Sequence, residues 1–408
     1  MKAKALLSSA VAAPWFLAYA CSGPEVDILS LRGDTSDAAA QAEVAEAVAS
    51  DVMASADAAG DVAADGAADV LADACASKDL ANDPAHCGAC FRSCLGGACT
   101  DGGCGPVLVA TATSPAGIAV DAQRVYFAEA TTPGAVYSVR KDGGDKRQLV
   151  GGLGSPQRLV VDDSHVFYTT VGVPGIVGRV DKDGANSLIL TQTNASPGSL
   201  VRDGADVLFV DIYSATIRKV PALGLPDAGL APALATAGNY PWGIAIAGSE
   251  VLWSARGTLV SGDAGPAGFT AADGVLYGAP KDGSGVRRTV AADQKEPLGV
   301  AADDSGIYWV TSVGGEVLKL PTGATVPVSL ASNQPSPWGI AVDATHVYFT
   351  CVGAAAGKGV VARVRKDGTS PAAEVLVSQL AFPSTVVTDD VAVYWTNTHG
   401  GSVMKIAK

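Results

Sequence analysis

The groups able to do chemistry fall into two sets. The first is a cluster of six cysteines: Cys75, Cys87, Cys90, Cys94, Cys99 and Cys104. Cys87-x-x-Cys90 has the spacing of a redox pair, and with His86 it supplies zinc-ligand types. A redox pair belongs at a strand–helix junction, and no such pattern surrounds this one. A zinc site takes four ligands and leaves the remaining cysteines unexplained. In an exported chain a dense, even set reads instead as a disulfide framework, with fifteen pairings open. A segment as small as 75–104 lacks a core, so bonds worth roughly 2–4 kcal/mol each must replace one. No metal ligand and no cofactor site is assigned.

The second set recurs along the C-terminal three-quarters. Trp242 and Trp338 both sit in Pro-Trp-Gly-Ile-Ala, with Arg158 and Leu298 at matching positions. Glu129, Asp211, Arg256, Asn397 and His399 follow aromatic triplets such as Val125-Tyr126-Phe127 and Val393-Tyr394-Trp395. Aromatic walls with mixed charges suit a sugar or a peptide segment. The competing reading is that the two tryptophans wedge between structural repeats, because recurrence within a repeat is what packing alone produces. Cys351 ends a strand-like run and has no evident partner, so a buried thiol is expected there.

These residues are placed by a repeat. Restarts at Pro115, Pro156, Pro197, Pro241, Pro297, Pro337 and Pro383 are spaced 41, 41, 44, 56, 40 and 46 residues apart. Each unit reads as four short strands. A Gly-Ile-Ala-Val-Asp type strand comes first (117–121, 339–343), and the aromatic triplet follows. A third strand ends in Lys-Asp-Gly (141–143, 182–184, 281–283, 366–368), and a short fourth closes the unit. Asp-Gly is a hairpin signal, because the turn needs the positive φ that glycine supplies. The last unit stops at Lys408 after three strands. Val107 to Pro115 parallels Gln148 to Pro156, so the missing strand comes from the N-terminal side and closes a ring. The pattern predicts an all-β, seven-bladed β-propeller over 105–408. The irregular fourth unit leaves six or eight blades as the alternatives. One face should carry the prolines, the residues after the triplets and the long insertion near 257–273; the other carries the Lys-Asp-Gly turns, His165 and His346.

Tyr394-Trp395-Thr396-Asn397 and Tyr308-Trp309-Val310-Thr311, with the Gly-Ile-Ala-Val-Asp strands, resemble the YWTD and NHL classes of propeller and the TolB-like architecture. The resemblance implies the fold. It departs from YWTD propellers, which are usually six-bladed, and it lacks the Trp-Asp and Gly-His signature of the WD class. Some propellers of these kinds are lyases or calcium-dependent lactonases. Such chemistry here requires Glu129, Asp211 and His399 to converge from separate blades, and no His-Glu pair or metal-ligand spacing is evident. The reading is therefore a recognition or scaffold module for protein or glycan, with no catalytic residue assigned; a small-molecule lyase or lactonase-type hydrolase at the channel mouth is the alternative.

The N-terminus reads as an address. Lys2 and Lys4 precede an apolar run to Ala20 too short to span a membrane, the pattern of a signal peptide over 1–21. Leu17-Ala18-Tyr19-Ala20-Cys21 resembles a bacterial lipobox, which implies lipidation of Cys21 and attachment to the membrane by that anchor alone. The segment 22–74 is an acidic Ala/Asp-rich linker, with twelve acids against Arg32. Of the net charge of −13, the linker carries −11 and the two leading lysines +2, so 75–408 carries only −4. Nucleic acid is excluded as a partner, because it requires a basic footprint. Asp83-Pro84-Ala85-His86-Cys87-Gly88-Ala89-Cys90 and the continuation to Cys94 resemble a small Cys-rich module of secreted myxobacterial proteins. The expectation is a monomeric lipoprotein of the outer membrane, facing the periplasm or the cell surface, that meets an envelope or extracellular protein or glycan.

Overall fold

The computed structural model describes residues 78–89, 91–260, 268–269, 272–353, 355–369 and 372–408. The expectations for the signal peptide, Cys21, the acidic linker, Cys75 and Cys90 lie outside the described residues.

Among the described residues, seven four-stranded antiparallel sheets follow one another along the chain. Every restart proline opens the first strand of a blade. Blade 1 comprises Pro115–Val120, Arg124–Glu129, Gly134–Arg140 and Arg147–Leu153. Blades 2 to 7 open with Pro156–Val161, Pro197–Asp203, Pro241–Ala247, Pro297–Asp303, Pro337–Val342 and Pro383–Thr388. Each first strand contacts the first strand of the next blade, and the seventh contacts the first, so the ring is closed. Blade 7 gets its fourth strand from Val107–Thr111, which pairs with Ser402–Ala407 in the register Val107↔Lys405 and Thr111↔Ser402. Closure removes the lateral edges that an open array would offer for aggregation.

The aromatic triplets build the core because successive strand residues face opposite sides and each blade is covered on both. The third residue of each triplet (Phe127, Tyr168, Phe209, Trp253, Trp309, Phe349, Trp395) is buried, and the second packs toward the other neighbour. Tyr308 and Val310 of blade 5 thus share a cluster with Val347 and Phe349 of blade 6. Val109 of the closing strand joins Phe127 and Tyr394 across the seam. A hydroxyl often follows the triplet. Ser254 Oγ accepts from Gly243 N (2.9 Å) and donates to Leu298 O of the next blade (2.6 Å); Thr350 does the same with Gly339 N and Ser384 O.

The Lys-Asp-Gly turns place glycine at positive φ, as expected (Gly143 +89°, Gly184 +92°). Their lysines have a second role that the repeat alone did not reveal: each reaches the preceding blade. Lys182 Nζ lies 2.7 Å from Asp121 Oδ2 and 5.5 Å from the centre of the Tyr126 ring, while Tyr126 Oη donates to the same carboxylate at 2.8 Å. Lys141 with Asp389 and Tyr394, and Lys408 with Asp343 and Tyr348, repeat the clasp. Lys366 pairs with Asp303, and Lys281 with Asp203. Burial pushes the Asp121 carboxyl up, but Lys182, the Gln123 N–H and Tyr126 together hold it well below the usual range. Asp343 is held down in the same way by Lys408, and Asp303 and Asp389 are also lowered. A carboxyl depressed in the folded state contributes stability above its unfolded pKa of about 3.9, and loses it as pH falls toward the folded value. The urea midpoint is accordingly expected to stay level from pH 7 to about 5 and to drop steeply below about pH 4. Asp121→Asn should cost roughly 1–3 kcal/mol at pH 7 and shrink that drop, as denaturation series across pH will show.

The Cys-rich module joins the propeller directly. Cys87 bonds to Cys99 and Cys94 to Cys104, the latter just before the closing strand. Arg92 Nε donates to the main-chain oxygen of Lys408 at 3.0 Å, and Leu95 packs on the seam cluster. The module thereby fastens both ends of the ring. Cys87, Cys94 and Cys99 hold their sulfurs within 4.8 Å of one another, but all three are in disulfides and supply no thiolate for zinc.

Candidate ligand-binding mouth

The register fixes the level of each predicted site residue. Glu129, Asp211 and Asn397 end second strands and lie opposite Pro115, Pro197 and Pro383, on the expected face. Their side chains, however, are engaged by partners in their own blades and, for Asp211, also in the preceding one. Glu129 faces Lys146 at 3.5 Å. Asp211 is fully buried and accepts from Arg218 Nε (2.7 Å) and Thr193 Oγ1 (2.9 Å). Asn397 accepts from Trp395 Nε1 at 3.1 Å and donates to Ser402 Oγ at 3.0 Å. Cys351 holds the equivalent position in blade 6, buried and opposite Pro337. Desolvation pushes its thiol up to about 12, so it is an inert core group.

The other five predicted residues do come together. The glycine after each tryptophan lets neighbouring blades abut: a Cβ on Gly243 would collide with Leu298 O and lie 3.0 Å from Val300 N. Adjacent first strands therefore bring residues of different blades to one rim. Trp242 and Trp338 meet edge to face at 5.6 Å. Phe382 continues the run at 5.8 Å from Trp338, and the exposed His399 ring lies 4.6 Å beyond it. On the other side, the Arg256 guanidinium sits 5.0 Å from the Trp242 ring centre and 3.9 Å from that of Phe269, which meets Tyr240 at 5.2 Å. Arg256 is buried and ion-paired with Glu296; burial lowers its pKa and Glu296 partly offsets this. Arg158, from blade 2, places its guanidinium 5.6 Å from Trp242 and Nη1 3.4 Å from Thr385 Oγ1 of blade 7. Both tryptophans pack against the cluster of blades 5 and 6, so the wedging role is real, yet both keep accessible surface.

Below this rim runs a channel cavity of about 260 Å³, lined among others by Ile118, Arg158, Ser199, Trp242, Trp338 and Thr385. A polar depression of about 400 Å³ lies beside blade 5, with Lys295, Thr311, Glu316 and Asn333 in its wall. The mouth is the stronger candidate because it joins aromatic surface to a cation, whereas the depression is polar and has no aromatic side chain among its lining residues. Among the described residues, Cys87, Cys94 and Cys99 are the sole trio of metal-capable side chains within 4.8 Å, so Glu129, Asp211 and His399 form no such cluster.

The protein is a seven-bladed β-propeller. No family model matches the chain, and no curated protein matches it in sequence. Solved structures share the fold. Virginiamycin B lyase from Staphylococcus aureus is 15% identical with a TM-score of 0.58, covering 74% of this chain and 98% of that one. A streptogramin B lyase structure gives 16% identity and TM-score 0.58 over 74% and 97%. The computationally designed Ika8 protein gives 12% identity and TM-score 0.50 over 72% and 83%.

Tyr240, Phe269, Glu296 and Phe382 escaped the sequence reading. Three of them share a signal. The residue before the restart proline is Ser114, Ser155, Ser196 and Ser336 in four blades, and Tyr240, Glu296 and Phe382 in the others. In every one of those three the large side chain joins the mouth network. Departure from the repeat, rather than adherence to it, marked these positions. Phe269 belongs to the irregular insertion and carried no such signal.

Proposed function

We propose that the protein is an exported recognition module, held at the envelope by a lipidated Cys21 and presenting the channel mouth to a protein or glycan ligand. The supporting observation is the aromatic run from His399 through Phe382, Trp338 and Trp242, continued by Arg256 to Phe269 and Tyr240. Half-buried tryptophan and arginine beside a cavity are the composition of binding hot spots. The signal-like N-terminus and the two disulfides fit an oxidising compartment outside the cytoplasm.

The alternative, a small-molecule lyase or hydrolase, takes its interest from the lyases that share the fold, a likeness that speaks to architecture alone. It has weaker support at this mouth, where Glu129 is engaged by Lys146, Asp211 by Arg218 and Thr193, and His399 packs on Phe382.

The test is a crosslinking pull-down from native envelope with the purified protein, against the Trp242→Ala, Trp338→Ala double variant. Loss of two hot-spot side chains is expected to reduce specific capture by about 30-fold or more. Undiminished capture by a variant that retains its far-ultraviolet spectrum and cooperative unfolding would remove the mouth from the binding site.

A further inference from the structure

Among the described residues that line the channel, Arg158 is the charged one. Lys141, Lys182, Lys281, Lys366, Lys408, Arg218 and Arg256 each have a carboxylate partner. Among the described residues, no acid pairs with Arg158, and none lines the channel it occupies. Its five donors meet one long hydrogen bond, from Nη1 to Thr385 Oγ1 at 3.4 Å, and the face of Trp242. Enclosure among the first strands pulls its pKa down to about 10, which still leaves it charged at neutral pH, and the side chain keeps accessible surface that a ligand can meet. A partly desolvated charge without a counter-ion is costly, and an anionic ligand would supply the opposite charge.

We propose that the channel mouth binds an acidic sugar residue, whose carboxylate pairs with Arg158. A planar guanidinium matches a carboxylate in bidentate fashion. The accessible parts of Trp242 and Trp338 offer apolar surface to a pyranose ring, and Ser199 and Thr385 offer hydroxyls to its own. The cavity of about 260 Å³ suits one such residue rather than a folded segment. The proposal rests on the reading of the mouth as a recognition site and names the chemistry that it selects.

The experiment is calorimetric titration of the purified protein with sodium D-glucuronate and D-galacturonate, alongside methyl glucoside and sodium acetate, repeated on Arg158→Gln and Arg158→Lys. A uronate is expected to bind at least about tenfold more tightly than methyl glucoside or acetate, with Arg158→Gln losing about tenfold and Arg158→Lys less. Arg158→Gln should also raise the unfolding midpoint of the unliganded protein, because it removes an unpaired charge. Equal binding of methyl glucoside and uronate, with Arg158→Gln unchanged, would overturn the acidic-sugar assignment while leaving the mouth a recognition site. Acetate binding as tightly as uronate would overturn the sugar part. Absence of binding by every probe, together with a lowered midpoint in Arg158→Gln, would overturn the proposal by giving Arg158 a structural role.

Discussion

A chain that begins at Ala112 is expected to lose its cooperative fold. The truncation removes the strand Val107–Thr111, its ladder to Ser402–Ala407, and the burial of Val109 and Ala110 in the seam. It also removes the module whose Arg92 caps Lys408. Ladder bonds at about 1 kcal/mol each and a buried valine at about 1.5–3 kcal/mol give a loss of roughly 5–8 kcal/mol. That approaches the whole stability of a typical domain, about 5–15 kcal/mol. The strand Ser402–Ala407 would then present an open edge, so oligomers should appear with the unfolding. Urea denaturation and size-exclusion chromatography read both effects. A truncated protein that stays monomeric with an unchanged midpoint would show that the ring does not depend on this strand.

The second large effect is expected from Gly243→Ala. The added Cβ collides with Leu298 O and approaches Val300 N at 3.0 Å, and both atoms belong to a strand held by its own ladder. The strand cannot give way without parting blades 4 and 5. Overpacking costs 1–3 kcal/mol in an adaptable core, and about 3 kcal/mol or more is expected against rigid backbone. The neighbouring Trp242 should shift with the strand, so binding at the mouth should fall as well. Gly248→Ala is the control: its Cβ meets nothing within 4 Å, and only the φ of +55° is unfavourable. Its cost should be about 1–2 kcal/mol with binding intact. Equal effects of the two substitutions would indicate backbone strain rather than inter-blade contact.

The architecture was legible because repetition reports on backbone. A proline that starts a strand, an aromatic triplet and an Asp-Gly turn recur at the same level in each blade. The parallel between Val107 to Pro115 and Gln148 to Pro156 revealed the closing strand. The site was legible only in level. Glu129, Asp211 and Asn397 share the rim with Arg158, yet each turns into its blade because a partner waits there: Lys146, Arg218 and Ser402. Such partners lie later in the same blade, and the choice depends on packing that spacing does not encode. The lysines of the Lys-Asp-Gly turns show the same limit from the other side. Their turn geometry was evident, while the carboxylates they reach belong to the neighbouring blade. Where the sequence broke its own pattern before the proline, at Tyr240, Glu296 and Phe382, it carried the information that regular positions lacked.

The most direct measurement is intrinsic fluorescence under titration with a panel of acidic and neutral oligosaccharides. Trp253, Trp309 and Trp395 are fully buried, whereas Trp242 and Trp338 keep accessible surface at the mouth. A ligand seated there should change the emission of the wild type, and the change should vanish in the Trp242→Phe, Trp338→Phe variant. Calorimetric binding with no change in emission, and with equal affinity in the variant, would contradict the mouth as the site and move attention to the depression beside blade 5.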